Sequence, residues 1–232
     1  MRAVAGALLV ALAAAPAAQA RAPVVKQLVV FRSGKAVART VSSRGVLLTV
    51  GRRRCAAGTG TPLAALVRSK AGRLRLRDFG SCSRRARNGA GLFVSGIGHD
   101  RNRGRNGWTY KVGRRAATAG AADPSGPFGS GRRLRSRQRL TWFYCRLLAD
   151  GCQRTLELRS AAEPGGVAAS VRAYDDEGRG VAVQGATVRL GGFTGLTDAS
   201  GVAHFAVGPG SYRAYASKRG LVRSFSERVV VG

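Results

Sequence analysis

The sequence predicts a mainly β protein in two parts, an α+β domain followed by a small all-strand domain. Three observations carry this: a single capped apolar helix, a return to period-two patterning after it, and short strand runs at regular spacing beyond residue 166. Residues 1–20 stand apart. Met1-Arg2 gives a positive start, Val4 to Ala18 is uncharged and apolar, and Ala18-Gln19-Ala20 fits a small-x-small cleavage site. A signal peptide is expected there, with a mature start at Arg21 and a secreted or envelope-associated product. The apolar run is short for a membrane span, and no second long one follows.

The first domain is expected over 21–158. It opens with the β-branched run Val24 to Phe31, a turn at Ser33-Gly34, and strand signal through Val37–Val41 and Val46–Val50, which reads as a hairpin. Thr61 can cap the helix and Pro62 suits its first position. Leu63, Leu66 and Val67 form one apolar face, Lys70 favours the negative end of the dipole, and Gly72 can close it. Arg73-Leu74-Arg75-Leu76-Arg77 then alternates, leucines toward a core and arginines toward water. Leu92 to Ile97 is apolar on both faces and suits a central strand. Trp108, Tyr110 and Val112 share one face of a strand, with Thr109 and Lys111 on the other. Leu140 to Tyr144 is the last strong strand. A linker is expected over 159–166, ending in Glu163-Pro164-Gly165-Gly166. Beyond it, over 167–232, the strand runs are 167–174, 186–190, 202–207, 212–216 and 225–231. Turns at Asp175-Asp176-Glu177-Gly178, Thr197 to Gly201 and Gly208-Pro209-Gly210 argue a small β-sandwich that leans on the first domain.

Four cysteines, Cys55, Cys82, Cys145 and Cys152, read as two disulfides in an exported chain. Three pairings are open, and proximity favours Cys55–Cys82 with Cys145–Cys152. A zinc site is disfavoured: there is no C-x-x-C pair, and the histidines are His99 and His204 alone. No enzyme is expected. Neither histidine has a nucleophile motif beside it, the Asp175-Asp176-Glu177 turn lacks a calcium loop's oxygen set, and Gly96-x-Gly98 does not continue into a phosphate loop. No cofactor is expected either.

Forty basic residues against eleven acidic give a formal charge of +29, nearly all of it arginine. Such a field attracts polyanions: acidic wall polymers, anionic head groups, nucleic acid. Compositional bias would give the same count without a partner. Arg133, Arg135, Arg137 and Arg139 share a parity, so an extended backbone would present them as one basic stripe, or equally as a charged edge protected from aggregation. With Arg101, Arg103 and Arg105, and with any outward members of Trp108, Tyr110 and Trp142, they could form a groove for an anionic glycan or polymer. On alternating strands such aromatics are more often core.

Two resemblances add to this reading. Thr61-Pro62-Leu63-Ala64-Ala65-Leu66, Gly107-Trp108-Thr109-Tyr110-Lys111-Val112-Gly113 and Leu140-Thr141-Trp142-Phe143-Tyr144 make residues 24–145 similar to the secreted domain family related to the transcobalamin C-terminal domain. That resemblance implies a β-grasp-like fold, a helix packed on a mixed sheet. Where the family has Gly-Asp before the final strand, this chain has Arg137-Gln138-Arg139. Val183-Gln184-Gly185-Ala186-Thr187-Val188, Thr197 to Ala203, and Pro209-Gly210-Ser211-Tyr212 make residues 166–232 resemble the carboxypeptidase-regulatory-like or transthyretin-like sandwich, itself similar to bacterial Ig-like repeats. Such modules are accessory: spacers, surface displays, or contacts to carbohydrate and protein.

The expectation is therefore a non-enzymatic binding or structural module of the envelope or exterior, its partner an anionic polymer or glycan and not a specific nucleic acid. Two rivals stand beside it. One is a small-ligand, corrinoid-like binder using the Gly-rich loops around Gly96 and Gly126; the other is a cationic antimicrobial or nucleic-acid-binding protein acting through bulk charge.

Overall fold

A computed structural model of the chain describes residues 21–232; the segment read as a signal peptide lies outside the described residues. The protein is mainly β, with one α-helix among the described residues.

Strands β1 (Val24–Val30) and β2 (Ala36–Ser42) form the expected opening hairpin, with Val25 beside Val41 and Val30 beside Ala36. The next run does not extend it. Strand β3 (Val46–Val50) folds back on β4 (Arg53–Ala57) as a separate two-stranded ribbon. Helix α1 (Pro62–Ser69) follows, with Thr61 as its cap: the Thr61 hydroxyl accepts from the Ala64 N–H at 3.4 Å and donates to the Gly58 carbonyl at 2.7 Å. Lys70, not Gly72, closes it in the left-handed conformation (φ 49°), its N–H bonding to the Val67 carbonyl. Gly72 has another role: a side chain there would come within 3.1 Å of the Gly98 backbone.

Strands β5 (Leu74–Asp78), β6 (Leu92–Ile97) and β7 (Asp100–Arg101) form a small sheet with β6 in its centre, as its two-faced apolar pattern requires. Strands β8 (Gly107–Val112), β9 (Arg115–Ala116) and β10 (Arg139–Cys145) complete a five-stranded sheet in the order β2-β1-β10-β8-β9. In it β1 runs parallel to β10, with Lys26 beside Arg139 and Val30 beside Phe143, and the other pairings are antiparallel. One face of this sheet presents Val25, Val29, Tyr110, Trp142 and Tyr144 to the core under α1. Tyr110 and Trp142 stack at 4.8 Å, and Trp108 packs edge-on against Phe31 and Tyr144.

The remaining strands build a second unit: β11 (Thr155–Glu163), β12 (Gly166–Tyr174), β13 (Gly180–Ala182), β14 (Thr187–Leu190), β15 (Phe193–Leu196), β16 (Val202–Ala206), β17 (Gly210–Ser217) and β18 (Glu227–Val231). They form two four-stranded sheets. In one, β12 pairs with β11, β13 and β16; the other has the order β15-β14-β17-β18. Leu158, Val167 and Val171 from the first meet Val188, Leu190, Ala216 and Val229 from the second in one shared core.

Residues 159–166, read as a linker, are instead strand and turn. Arg159 to Glu163 is the second half of β11, paired with β12 from Thr155 opposite Tyr174 to Glu163 opposite Gly166, and Pro164-Gly165 is the turn of that hairpin. Leu156 and Leu158 belong to the second core, so the second unit begins before residue 159. A Gly/Pro cluster marks a reversal as well as a tether, and composition does not separate the two.

Both favoured disulfides are present, Cys55–Cys82 and Cys145–Cys152. The second sits at the junction of the two units. There the other face of the five-stranded sheet is also covered: Leu28, Val30, Phe143 and Cys145 pack against Val222 and Phe225. Lys111 lies on this covered face and is fully buried. Its ammonium donates to the carbonyls of Tyr174 and Asp175 at 3.0 and 2.7 Å and pairs with the Asp176 carboxylate at 3.1 Å. The acidic turn at Asp175-Asp176-Glu177 is thus a clasp between the units.

Candidate functional site

The small sheet β5-β6-β7 has one face on the core and the other open. Leu74 and Leu76 lean toward the core, as does Val94, while Arg75, Arg77, Phe93 and Ser95 point outward. Register places Arg77 beside Phe93, and Arg75 and Arg101 on either side of Gly96. The outward face floors a groove of about 750 Å³. Gly96 leaves room for its neighbours: a side chain there would lie 3.0 Å from the Asp100 carbonyl and 3.5 Å from the Arg75 stem. The walls come from the segment between β7 and β8, including Asn102, Arg105 and Asn106, and from the loop closed by Cys145–Cys152.

Each wall is held in place by its own bonds. The Asn102 amide donates to the Val94 carbonyl at 3.1 Å and accepts from the Trp108 N–H at 2.9 Å, tying the loop to both β6 and β8. The Trp108 indole N–H reaches the Asp100 carbonyl at 3.0 Å, and the Tyr144 hydroxyl reaches that of Arg101 at 3.1 Å. Asn106 accepts from the Leu147 N–H at 2.8 Å, fixing the disulfide loop against the far side.

The charge of the groove is one-sided. Arg75, Arg77, Arg101 and Arg105 line it, and no aspartate or glutamate does. Arg75 is anchored by a 2.7 Å bond to the Gly98 carbonyl. Arg77, Arg101 and Arg105 are exposed and take no part in the ion pairs among the described residues. The other clefts are mixed. That between β11 and β18 joins Arg114, Arg139 and Arg228 with Glu157 and Glu227, and the cleft beside the acidic turn holds Asp150, Asp175 and Glu177.

Several sequence-level site residues are placed elsewhere. The proposed stripe does not form, because the chain turns at Ser136-Arg137, with Arg137 in the left-handed region at φ 68°. Arg133 spends its guanidinium on the carbonyls of Pro124 and Thr59. Arg135 lies in the loop before that turn, its N–H bonded to the Gln138 side chain. Arg139 pairs with Glu227 at 2.5 Å and lies over the Phe225 ring at 5.4 Å, so its guanidinium joins the two units and is not left free in a stripe. Arg103 is exposed on the turn bridged to Asn106, outside the groove lining. Of the three aromatic contact residues, Tyr110 and Trp142 are core instead, whereas Trp108, 6 % exposed, lies at the groove's inner edge. Of the arginines singled out from sequence, Arg101 and Arg105 remain in the groove. Arg75, Arg77 and Phe93 were missed as site residues, although the Arg-Leu alternation placed those arginines outward.

No group of three or more His, Cys, Asp or Glu side chains able to hold a metal occurs among the described residues. His99 is exposed on the loop after β6. His204, on β16, bonds through Nδ1 to Glu163 at 2.8 Å, and that carboxylate raises the imidazole pKa above its ordinary value. A raised folded-state pKa means the contact contributes fully below about pH 6.5 and fades as pH climbs through the folded value. In an NMR titration the His204 midpoint is expected to fall toward the ordinary value in Glu163→Gln. An unshifted midpoint would mean the pair does not form in solution.

The chain matches no protein-family model, and comparison with curated proteins and with solved structures returns no significant match.

Proposed function

We propose that this protein is a non-enzymatic binding module of the envelope or exterior that holds an anionic polymer in the arginine-lined groove over β5, β6 and β7. The observation that carries the reading is the composition of that lining: four arginines and no carboxylate. Convergent unpaired guanidiniums repel one another, and a ligand carrying carboxylate, sulfate or phosphate groups relieves that repulsion through charge-assisted bonds. Two disulfides suit an oxidising compartment, and no helix among the described residues is long and apolar enough to cross a membrane. The cleavage pattern at Ala18-Gln19-Ala20 supports export.

The finer fold assignments belong to the same proposal. The helix lying against β1 and β2, and the parallel pairing of β1 with β10, support a β-grasp-like first domain. Two facing four-stranded sheets support a transthyretin-like or Ig-like second domain acting as an accessory unit.

Retention on isolated cell walls tests the reading. Replacing Arg77, Arg101 and Arg105 together with Ser is expected to weaken retention about a hundredfold, while the fold is kept. A charge-matched control, Arg189, Arg213 and Arg219 to Ser on the exposed second unit, should retain wild-type binding. Binding should also weaken steeply with added salt, whereas a corrinoid in an apolar pocket would be salt-insensitive and visible by absorbance. Equal retention by the groove variant and the wild type would remove the groove from the function. Equal losses in both variants would assign the binding to bulk charge.

A further inference from the structure

Phe79 and Phe93 are 73 % and 42 % exposed and stand beside each other, ring centres 5.7 Å apart and planes at 63°. A single exposed phenylalanine is ordinary; two in contact at the rim of a charged groove make an apolar patch where a partner is expected. The patch is held open by its support. Phe79 donates its N–H to the Gly91 carbonyl at 2.9 Å. The adjoining Asp78 carboxylate accepts from Gly80 and Cys82 N–H at 3.1 and 3.0 Å and pairs with Arg53 at 3.6 Å. Cys82 is in turn bonded to the buried Cys55. The backbones of Gly80 and Gly91 lie so close that a side chain on Gly91 would fall 2.5 Å from the Gly80 nitrogen. The rings are displayed on a fixed pedestal, not left on a collapsing loop.

Phe93 and Arg77 are direct cross-strand partners and both line the groove. Directly opposed residues on neighbouring strands reach a common neighbour, so a ring and a guanidinium are offered side by side. On the reading of the groove given above, we propose that its ligand is an acidic polysaccharide, with the apolar face of a pyranose seated on the Phe79–Phe93 pair and its acid group on Arg77. A bare phosphate chain has no ring to seat. Stacked bases use successive parallel platforms, whereas these two rings meet edge to face and offer one. Charge supplies attraction to any polyanion; the ring pair selects those with an apolar ring face.

The test compares polygalacturonate, polyphosphate, oligo(dT) and anionic phospholipid vesicles, titrated into the disulfide-intact protein. Phe79→Ala, alone and with Phe93→Thr, is expected to weaken polygalacturonate binding about tenfold while leaving polyphosphate unchanged. The arginine triple variant should weaken both. Phe79 lies outside the core, so its variant stays informative even if the Phe93 change disturbs β6. Wild-type polygalacturonate binding by the Phe variants, with loss in the arginine variant, overturns the ring-seating proposal and leaves the groove standing. Unchanged binding of both polymers by the arginine variant overturns the groove itself. If oligo(dT) or vesicles, and not polygalacturonate, lose binding on Phe substitution, the patch belongs to nucleic acid or to a membrane and the proposal falls.

Discussion

Replacing Lys111 with methionine is expected to cost about 3–5 kcal/mol of stability, because one end of a buried ion pair disappears while the other remains. The geometry explains the size. The Lys111 ammonium is fully buried, and in its absence the carbonyls of Tyr174 and Asp175 and the Asp176 carboxylate lose a shared donor. The damage should spread, since Asp176 also accepts from the Cys152 N–H at 3.1 Å and so links the clasp to the junction disulfide. In urea the variant is expected to unfold at a lower midpoint, with the second unit loosening first. Asp176→Asn, which keeps the shape and one acceptor, should lose less. Burial lowers the Lys111 pKa against the opposing pull of Asp176. A lowered folded value favours the neutral form, so wild type should gain stability relative to K111M as pH rises toward the ordinary lysine value of about 10.4. A midpoint for K111M equal to that of wild type would mean the clasp holds nothing.

The second large effect concerns Cys55–Cys82. The chain-entropy argument gives about 3.5 kcal/mol for its loop and about 2.5 kcal/mol for the shorter Cys145–Cys152 loop. Cys55→Ala/Cys82→Ala is therefore the more costly of the two double substitutions by denaturant unfolding. It should also loosen the pedestal beneath Phe79, because Cys82 N–H is one of the two backbone N–H groups gathered by Asp78. A smaller loss than in Cys145→Ala/Cys152→Ala would show that residual unfolded-state order, and not loop length, governs this protein.

Local features were readable wherever the physics is local. Thr61 and Pro62 announce a helix start because an orphan N–H needs an acceptor and proline has none to lose. The two nearest cysteine pairings follow from short loops, and the Arg-Leu alternation from the pleat. Of what failed, part was local and part depended on partners distant in sequence. Residues 159–163 carry a strand whose significance appears once β12 lies alongside. The parity of Arg133 to Arg139 requires an extended chain, and a left-handed Arg137 breaks it. Lys111 lies near the end of β8 on the face opposite Trp108 and Tyr110, and a second unit, distant in the chain, covers that face. The groove is the least legible feature: its lining comes from β5, β6, β7, β8, the segment joining the last two and the disulfide loop, and their meeting depends on strand register. Phe79 had a signal that could have been used, a large apolar side chain between Asp78 and Gly80 where a turn residue would be expected.

The parallel seam between β1 and β10 has a kinetic consequence. Lys26 must find Arg139, so the central sheet cannot close until almost the whole first domain has been made available. Contacts this distant in the chain reward their loop-closure cost late, which slows folding and leaves Val24–Val30 adhesive in the interim. A polypeptide wired in this way stays threadable for longer, and locks only once its farthest strand has arrived.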